Sequence, residues 1–354
     1  VKLNLPRLMP SRGFFMFPMS FLLAAVVCLV GTSAQANNYR YSDTHLHYVD
    51  FFQASAGIRP LLEEAAAANI DHAMLSGISV AKEWDEDEPK RPRYYAGDDA
   101  RAYWYSATDT LIAHAYKQLP PEQKKRFHPF ISGFNPNDMN ADAQIRRLLE
   151  LDPGLWQGIG EVFTRHDYLT ALIYGKAPRA NSKAMAKVYR VAAEFDLPVL
   201  LHSNITSKRE RYPLYLEEFE EALRSNPDVR FIWAHAGTSM EIYRTQGKMS
   251  FLLPTLEQLL ESYPNLYIDM SWTVLHPYLV DEQGRADADW VDLVARYPDR
   301  FMVGSDVVGT FGSLSKYMFG FNPFLDALPH DVAHQVALSN FISVLPAARK
   351  KELQ

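Results

Sequence analysis

Cysteine is almost absent from this chain. Cys28 is the only one in 354 residues, so no intramolecular disulfide framework supports the fold and a packed core has to carry it. Basic patches are equally scarce. The formal net charge is −6, and the longest cationic clusters are Lys124-Lys125-Arg126 and Lys208-Arg209-Glu210-Arg211, which read as solvated helix ends. A nucleic-acid partner held by counterion release needs the opposite sign, at least locally. No low-complexity segment or domain-sized linker occurs. After Gly31 no apolar run of membrane length follows.

The first 36 residues form a separate object. They carry Lys2, Arg7 and Arg12 and no acid, so the remainder has 33 basic and 42 acidic residues, or −9. An apolar run from Phe14 to Gly31, interrupted by Pro18 and Ser20, precedes Ala34-Gln35-Ala36. Positive start, apolar middle and small-x-small end predict a secretory signal peptide over 1–36, cleaved after Ala36. The alternative is a retained anchor, since the run nearly spans a bilayer. The expected mature chain, 37–354, is exported to the bacterial periplasm and has no membrane partner after cleavage. Its length suffices for one large core.

From residue 37 on, short β-rich runs alternate with amphipathic helical patterns. Strands are expected at 41–48, 72–79, 127–134, 154–162, 198–203, 229–237, 266–271 and 301–308. Helices are expected at 58–68, 107–118, 141–151, 182–195, 214–225, 253–263, 286–297 and 330–345. Runs such as Val199-Leu200-Leu201 and Phe231-Ile232-Trp233 are apolar on consecutive residues, as in parallel strands buried on both faces. Eight such units predict an α/β fold, a single-domain (β/α)8 TIM barrel. The rival is an open doubly wound sheet, but its Gly-rich first turn is missing: His47-Tyr48-Val49-Asp50 stands there. Two long loops, 81–106 and 164–181, both follow strands and belong on the catalytic face. The first is rich in acids and aromatics (Tyr94, Tyr95, Tyr103, Trp104, Tyr105), reading either as a lid or as a locally packed excursion.

Histidines and acids cluster at the ends of these strands. Asp43-Thr44-His45-Leu46-His47 puts two imidazoles on one face of the first strand. Strand four ends in Gly160-Glu161, strand five in His202, strand six in His235 and strand eight in Gly304-Ser305-Asp306. Each alone is an ordinary core histidine or turn acid. Six on five strand ends converge at one mouth of a barrel.

The order His-x-His, Glu, His, His, Asp resembles the amidohydrolase superfamily of metal-dependent barrels. The Gly-Ser-Asp on strand eight and Ala337-Leu338-Ser339-Asn340 resemble its amidohydrolase-2 branch, over 43–345. The resemblance implies His45, His47 and His202 as metal ligands. It implies Asp306 as ligand and as base on water, and His235 as a catalytic residue that hydrogen-bonds substrate or water and stabilises the developing oxyanion, or as a holder of a second metal. Nitrogen and oxygen donors suit Zn2+ best, with Mn2+ or Fe2+ as alternatives. Many relatives bridge two ions with a carboxylated lysine on strand four. Here Glu161 stands in its place, and it either bridges two ions, joins one, or bonds substrate. The favoured expectation is one ion with Glu161 lining the site. Arg165 and His166 either meet an anionic substrate group or form surface salt bridges, and Trp272, His276, Tyr278, Lys316 and Tyr317 share the rim. Asp43 is expected to support rather than ligate, while His72, His114, His128, His330 and His334 are expected to be structural.

The expected function is a metal-dependent hydrolase cleaving a C–O or C–N bond in a small ester, lactone or amide. Non-oxidative decarboxylation of a small carboxylic acid is the runner-up, and a non-catalytic periplasmic binding protein is the rival from another class. The partner is a small molecule, and a homo-oligomer is compatible with all of this.

Overall fold

The computed structural model describes residues 39–92, 100–105, 107–166 and 168–353. The segment 1–36 expected to be a signal peptide, Tyr94 and Tyr95 lie outside them. Among the described residues no helix is long and apolar enough to cross a membrane.

Eight parallel strands close into a ring. The first is split into Tyr41–Asp43 and Leu46–Val49. Ile70–Gly77, Phe127–Ile131, Gly158–Thr164, Val199–Ser203, Phe231–Trp233 and Leu266–Asp269 follow. The eighth is again split, into Phe301–Met302 and Val307–Val308. Each strand pairs with the next, and the last piece of the eighth pairs with the first, Val308 level with His47. That closure makes the sheet a (β/α)8 barrel. Sequence patterning placed all eight strands. It ran the first and eighth through as single pieces, whereas both break where their ends cross: Thr44 N donates to Val303 O (3.1 Å) and Asp306 N to His45 O (2.7 Å).

Inside the barrel, Met74, Phe130, Leu200, Ile232 and Met302 interdigitate above Phe341, Val344 and Leu345, which plug the lower end. A larger apolar layer between strands and helices surrounds it. The helices begin and end on local signals. Ser182 Oγ accepts from Met185 N ahead of Lys183–Glu194, and Asp287 does the same for Ala288–Arg296. The helix expected over 330–345 is instead three pieces, His330–His334, a wide turn at Gln335–Ser339, and Asn340–Val344. Ser42 Oγ bonds the Leu338 carbonyl inside that turn (2.7 Å), the kind of insertion that widens a helix.

Both long loops carry structure. Val80–Lys82 pairs antiparallel with Ala102–Trp104, and Ala102 bridges Ile173 in the second loop. Phe51, Ile78, Val80, Ala102, Phe163, Leu169 and Ile173 form a small apolar core beneath them.

Asp109, buried in the helix Ala107–Lys117, accepts N–H bonds from Ser132 and Gly133 just after the third strand, both at 2.9 Å. Burial outweighs those two bonds and pushes its carboxyl up to about 7. The native state therefore keeps a proton that the unfolded chain releases near pH 4, and stability falls as pH rises from about 4 to 7. This group is expected to cost about 2 kcal/mol between pH 5.5 and 8. Urea unfolding at both pH values checks it: the drop should shrink by that amount in Asp109→Asn. An identical drop in the variant would assign the pH dependence elsewhere.

Candidate metal centre

The six strand-end residues meet at the C-terminal mouth of the barrel. His45 and His47 project from the first strand and Glu161 from the fourth. His202 projects from the fifth, while His235 and Asp306 sit in turns after the sixth and within the eighth. His235 and Asp306 both adopt left-handed backbone (φ 53 in each), a conformation that costs a non-glycine residue energy and recurs at functional sites. Gly160 is needed where it stands. Its φ is +134, and a Cβ there would lie 2.4 Å from the Leu200 carbonyl oxygen, so Glu161 can approach the fifth strand closely.

Four donor atoms face one point. His45 Nε2 and His47 Nε2 are 3.1 Å apart. Glu161 Oε2 lies 3.3 and 3.2 Å from them, and Asp306 Oδ1 lies 3.5 and 3.2 Å. A tetrahedron of N/O donors about 2.0–2.1 Å from a central zinc has edges of about 3.3 Å. Proton bookkeeping leads to the same place. Asp269 Oδ2 takes the His45 Nδ1 proton (2.8 Å). Ser76 Oγ spends its own proton on Leu46 O and accepts from His47 Nδ1 (3.1 Å each). Both Nε2 atoms thus turn lone pairs toward two carboxylate oxygens, and a cation resolves that arrangement. Burial opposes charge on His45, yet the Glu161, Asp306 and Asp269 carboxylates pull its pKa well above the usual imidazole range. Burial likewise opposes charge on Glu161, and His45 with His202 hold its carboxyl well below its usual range.

Glu161 has a second face. Its Oε1 is 2.8 Å from His202 Nδ1 and 3.6 Å from His235 Nε2. Ser271 Oγ donates to Asp269 Oδ2 (2.6 Å) and accepts from His235 Nδ1 (2.9 Å), leaving Nε2 its lone pair. His202 Nε2 meets Asn204 Oδ1 at 3.0 Å. Glu161, His202 and His235 therefore form a second donor group, with their ligand atoms within 4.8 Å of one another. Asp306 Oδ2 is 3.9 Å from His235 Nε2. The one-ion expectation put His202 beside His45, His47 and Asp306. The structure puts Glu161 there and pairs His202 with His235.

Other residues separate. His166 is buried and stacks on His202 at 4.4 Å. Its Nδ1 accepts from Leu169 N (3.1 Å), which places the ring proton on Nε2. Burial, then His202, hold it well below the usual imidazole pKa. Arg165, by contrast, turns away with a left-handed φ of 41. It grips Glu218 through the Nε–Nη2 edge of its guanidinium (2.8 and 2.5 Å) and covers Tyr215, so of its two expected roles the salt bridge is the one the structure forms. Asp43 anchors the eighth strand through Ser305 N (2.8 Å) and Ser305 Oγ (2.6 Å), while burial pushes its carboxyl up to about 6. Tyr278 is core, its hydroxyl accepting from Met249 N. His276 bonds Val280 O, and His72 pairs with His128. The sequence reading missed Asp269 and Ser271. An acid and a serine closing an otherwise apolar strand were the available signal.

Two connected hollows open over the cluster. The inner one, about 20 Å3, has room for about one water and is lined by His47, Glu161, His166, His202 and His235, with Phe51, Ile78 and Phe163. Trp272, Asp306 and Val308 border it and also the outer mouth, a cavity of about 360 Å3.

A barrel with histidines and carboxylates gathered at its C-terminal mouth has the build of a metal-dependent (β/α)8 enzyme. The chain belongs to the amidohydrolase family, whose profile matches residues 42–340. Among solved structures it is similar to an uncharacterized TIM-barrel protein from Bordetella bronchiseptica, at 14% identity over 88% of this chain and 99% of that one, with a TM-score of 0.53. It is also similar to a putative 2-pyrone-4,6-dicarboxylic acid hydrolase from Pseudomonas putida (12% identity, 87% and 98% covered, TM-score 0.52). A third is an amidohydrolase II (17% identity, 86% and 99% covered, TM-score 0.50). These likenesses show the fold. No curated protein matches the chain.

Proposed function

We propose that this chain is a metal-dependent hydrolase that cleaves a C–O or C–N bond in a small ester, lactone or amide. The carrying observation is the exposure of Asp306. Its side chain is 15% exposed, whereas the other five cluster members are at most 2% exposed. One carboxylate thus borders both hollows, where a substrate bond and a water can meet.

His45, His47, Glu161 and Asp306 would hold one divalent ion, and Glu161, His202 and His235 a second. Zn2+ suits the donor set best, with Mn2+ or Fe2+ as alternatives. A divalent ion so held would supply acidity to water near neutral pH and polarisation of a carbonyl oxygen. Asp306 then accepts the proton of the attacking water and returns it to the departing oxygen or nitrogen. His166, held neutral by burial and by His202 on which it stacks, walls the inner hollow beside Glu161 and His235. Asp269 and Ser271 keep His45 and His235 in the required tautomer. Phe51, Ile78 and Phe163 exclude bulk water.

Decarboxylation is the second reading. The apolar wall of Phe51, Ile78 and Phe163 beside the inner hollow favours it, while the engagement of Arg165 with Glu218 removes the guanidinium it relied on. Elemental analysis of protein purified without chelator, followed by a panel of small esters, lactones, amides and carboxylic acids, separates these. Bound metal and ester, lactone or amide cleavage is the expected result. Carbon dioxide release without hydrolysis would transfer the assignment to the second reading. A folded protein that takes up no metal would end both.

A further inference from the structure

We propose that the outer mouth recognises a carboxylate through Arg244, so that the substrate is a small organic acid whose scissile bond points inward to Asp306. The nature of that bond rests on the hydrolytic reading; the recognition of the anion does not. Arg244 lies on the short helix Met240–Gln246, reached by the turn after the sixth strand. It lines the 360 Å3 cavity together with Glu241, Trp272, Asp306, Thr310 and Tyr317. That volume is at the small end for ligand pockets.

Arg244 is the one cation among the described residues lining this cavity, and it has no ion-pair or hydrogen-bond partner among the described residues. Glu241, three positions earlier on the same helix, is where a helical ion pair normally forms. That pair is not made. Glu241 Oε2 is instead buried without a protein partner. One wall therefore offers a guanidinium that the acid of its own helix does not neutralise, and a ligand carboxylate satisfies it. The acids also set direction. Asp306 and Glu241 repel an anion, so the carboxylate settles at Arg244 and the remainder of the molecule, lying along Trp272, reaches the metal centre.

The test measures binding and turnover separately. Calorimetric titration of metal-loaded protein with benzoate and with benzamide should show benzoate about tenfold or more tighter. Arg244→Gln should collapse that ratio to within about threefold, with Arg244→Lys intermediate. Metal content measured on each variant verifies that the site is intact. Hydrolysis of 4-acetoxybenzoate against its methyl ester should show the same preference in kcat/KM, and the same loss of preference. Equal binding of benzoate and benzamide, or a ratio that survives Arg244→Gln, would overturn the proposal. Cleavage of both esters with no preference would do so too and would leave the hydrolytic reading standing. An Arg244-dependent benzoate preference with neither ester cleaved would uphold carboxylate recognition and remove the hydrolytic reading.

Discussion

Asp306→Asn is expected to keep metal at the centre and to lose about 10³-fold or more in kcat. Asparagine preserves the carbonyl oxygen that faces His45 and His47 at 3.5 and 3.2 Å, so the donor count is maintained. What it removes is proton affinity at the one cluster carboxylate bordering both hollows. General-base participation contributes about 10²–10⁴-fold, which sets the size of the expected loss. Steady-state kinetics on the best substrate of the panel, with metal analysis of the same sample, checks it. Activity within tenfold of the parent would move the base elsewhere, and metal loss without a residual rate would reduce Asp306 to a ligand.

The second large effect concerns Glu161, whose two oxygens serve two donor groups. Glu161→Gln is expected to lower bound metal from about two ions per chain to well under one, because both groups lose an anionic donor together. The amide nitrogen would also meet imidazole lone pairs that are already oriented by Asp269, Ser271 and Ser76. Since an ion bound only to the folded state stabilises it by mass action, chelation should lower the thermal midpoint of the parent. The variant should start lower and respond little to chelator. Retention of a full first ion in Glu161→Gln would show that His45, His47 and Asp306 suffice, and the carboxylate would then serve only the His202–His235 side.

Which residues reach the barrel mouth was legible in the sequence, because strand termini and period-two alternation are local properties. How those residues divide was not. His45 and His47 share a strand, but their partners Glu161 and Asp306 come from strands four and eight. That grouping depends on the closure and curvature of the ring. Asp269 was hidden for a different reason: an acid ending a four-residue strand looks like a turn residue until His45 is seen 224 positions away in sequence. Arg165 pointed the wrong way because its left-handed backbone delivers the side chain to Glu218, a partner on a later helix. Arg244 was not singled out at all, since seven residues are too few for helical periodicity to register. The hairpin at 80–82 and 102–104 escaped similarly, its two three-residue strands lying twenty positions apart.

The arrangement around Asp269 has an evolutionary reading as well. This buried carboxylate takes the His45 proton directly and reaches His235 through Ser271, so one acid sets the tautomer of an imidazole in each donor group. Together with the shared Glu161, it binds the two halves of the centre into a single heritable unit. Under the proposed two-ion reading, a substitution at Asp269 or Glu161 would disturb both halves at once. The low-cost first step is at His202, whose Nε2 neighbour, Asn204, has no part in the other group. If the centre holds two ions as proposed, a change in metal number would disturb the other half least by starting on the fifth strand.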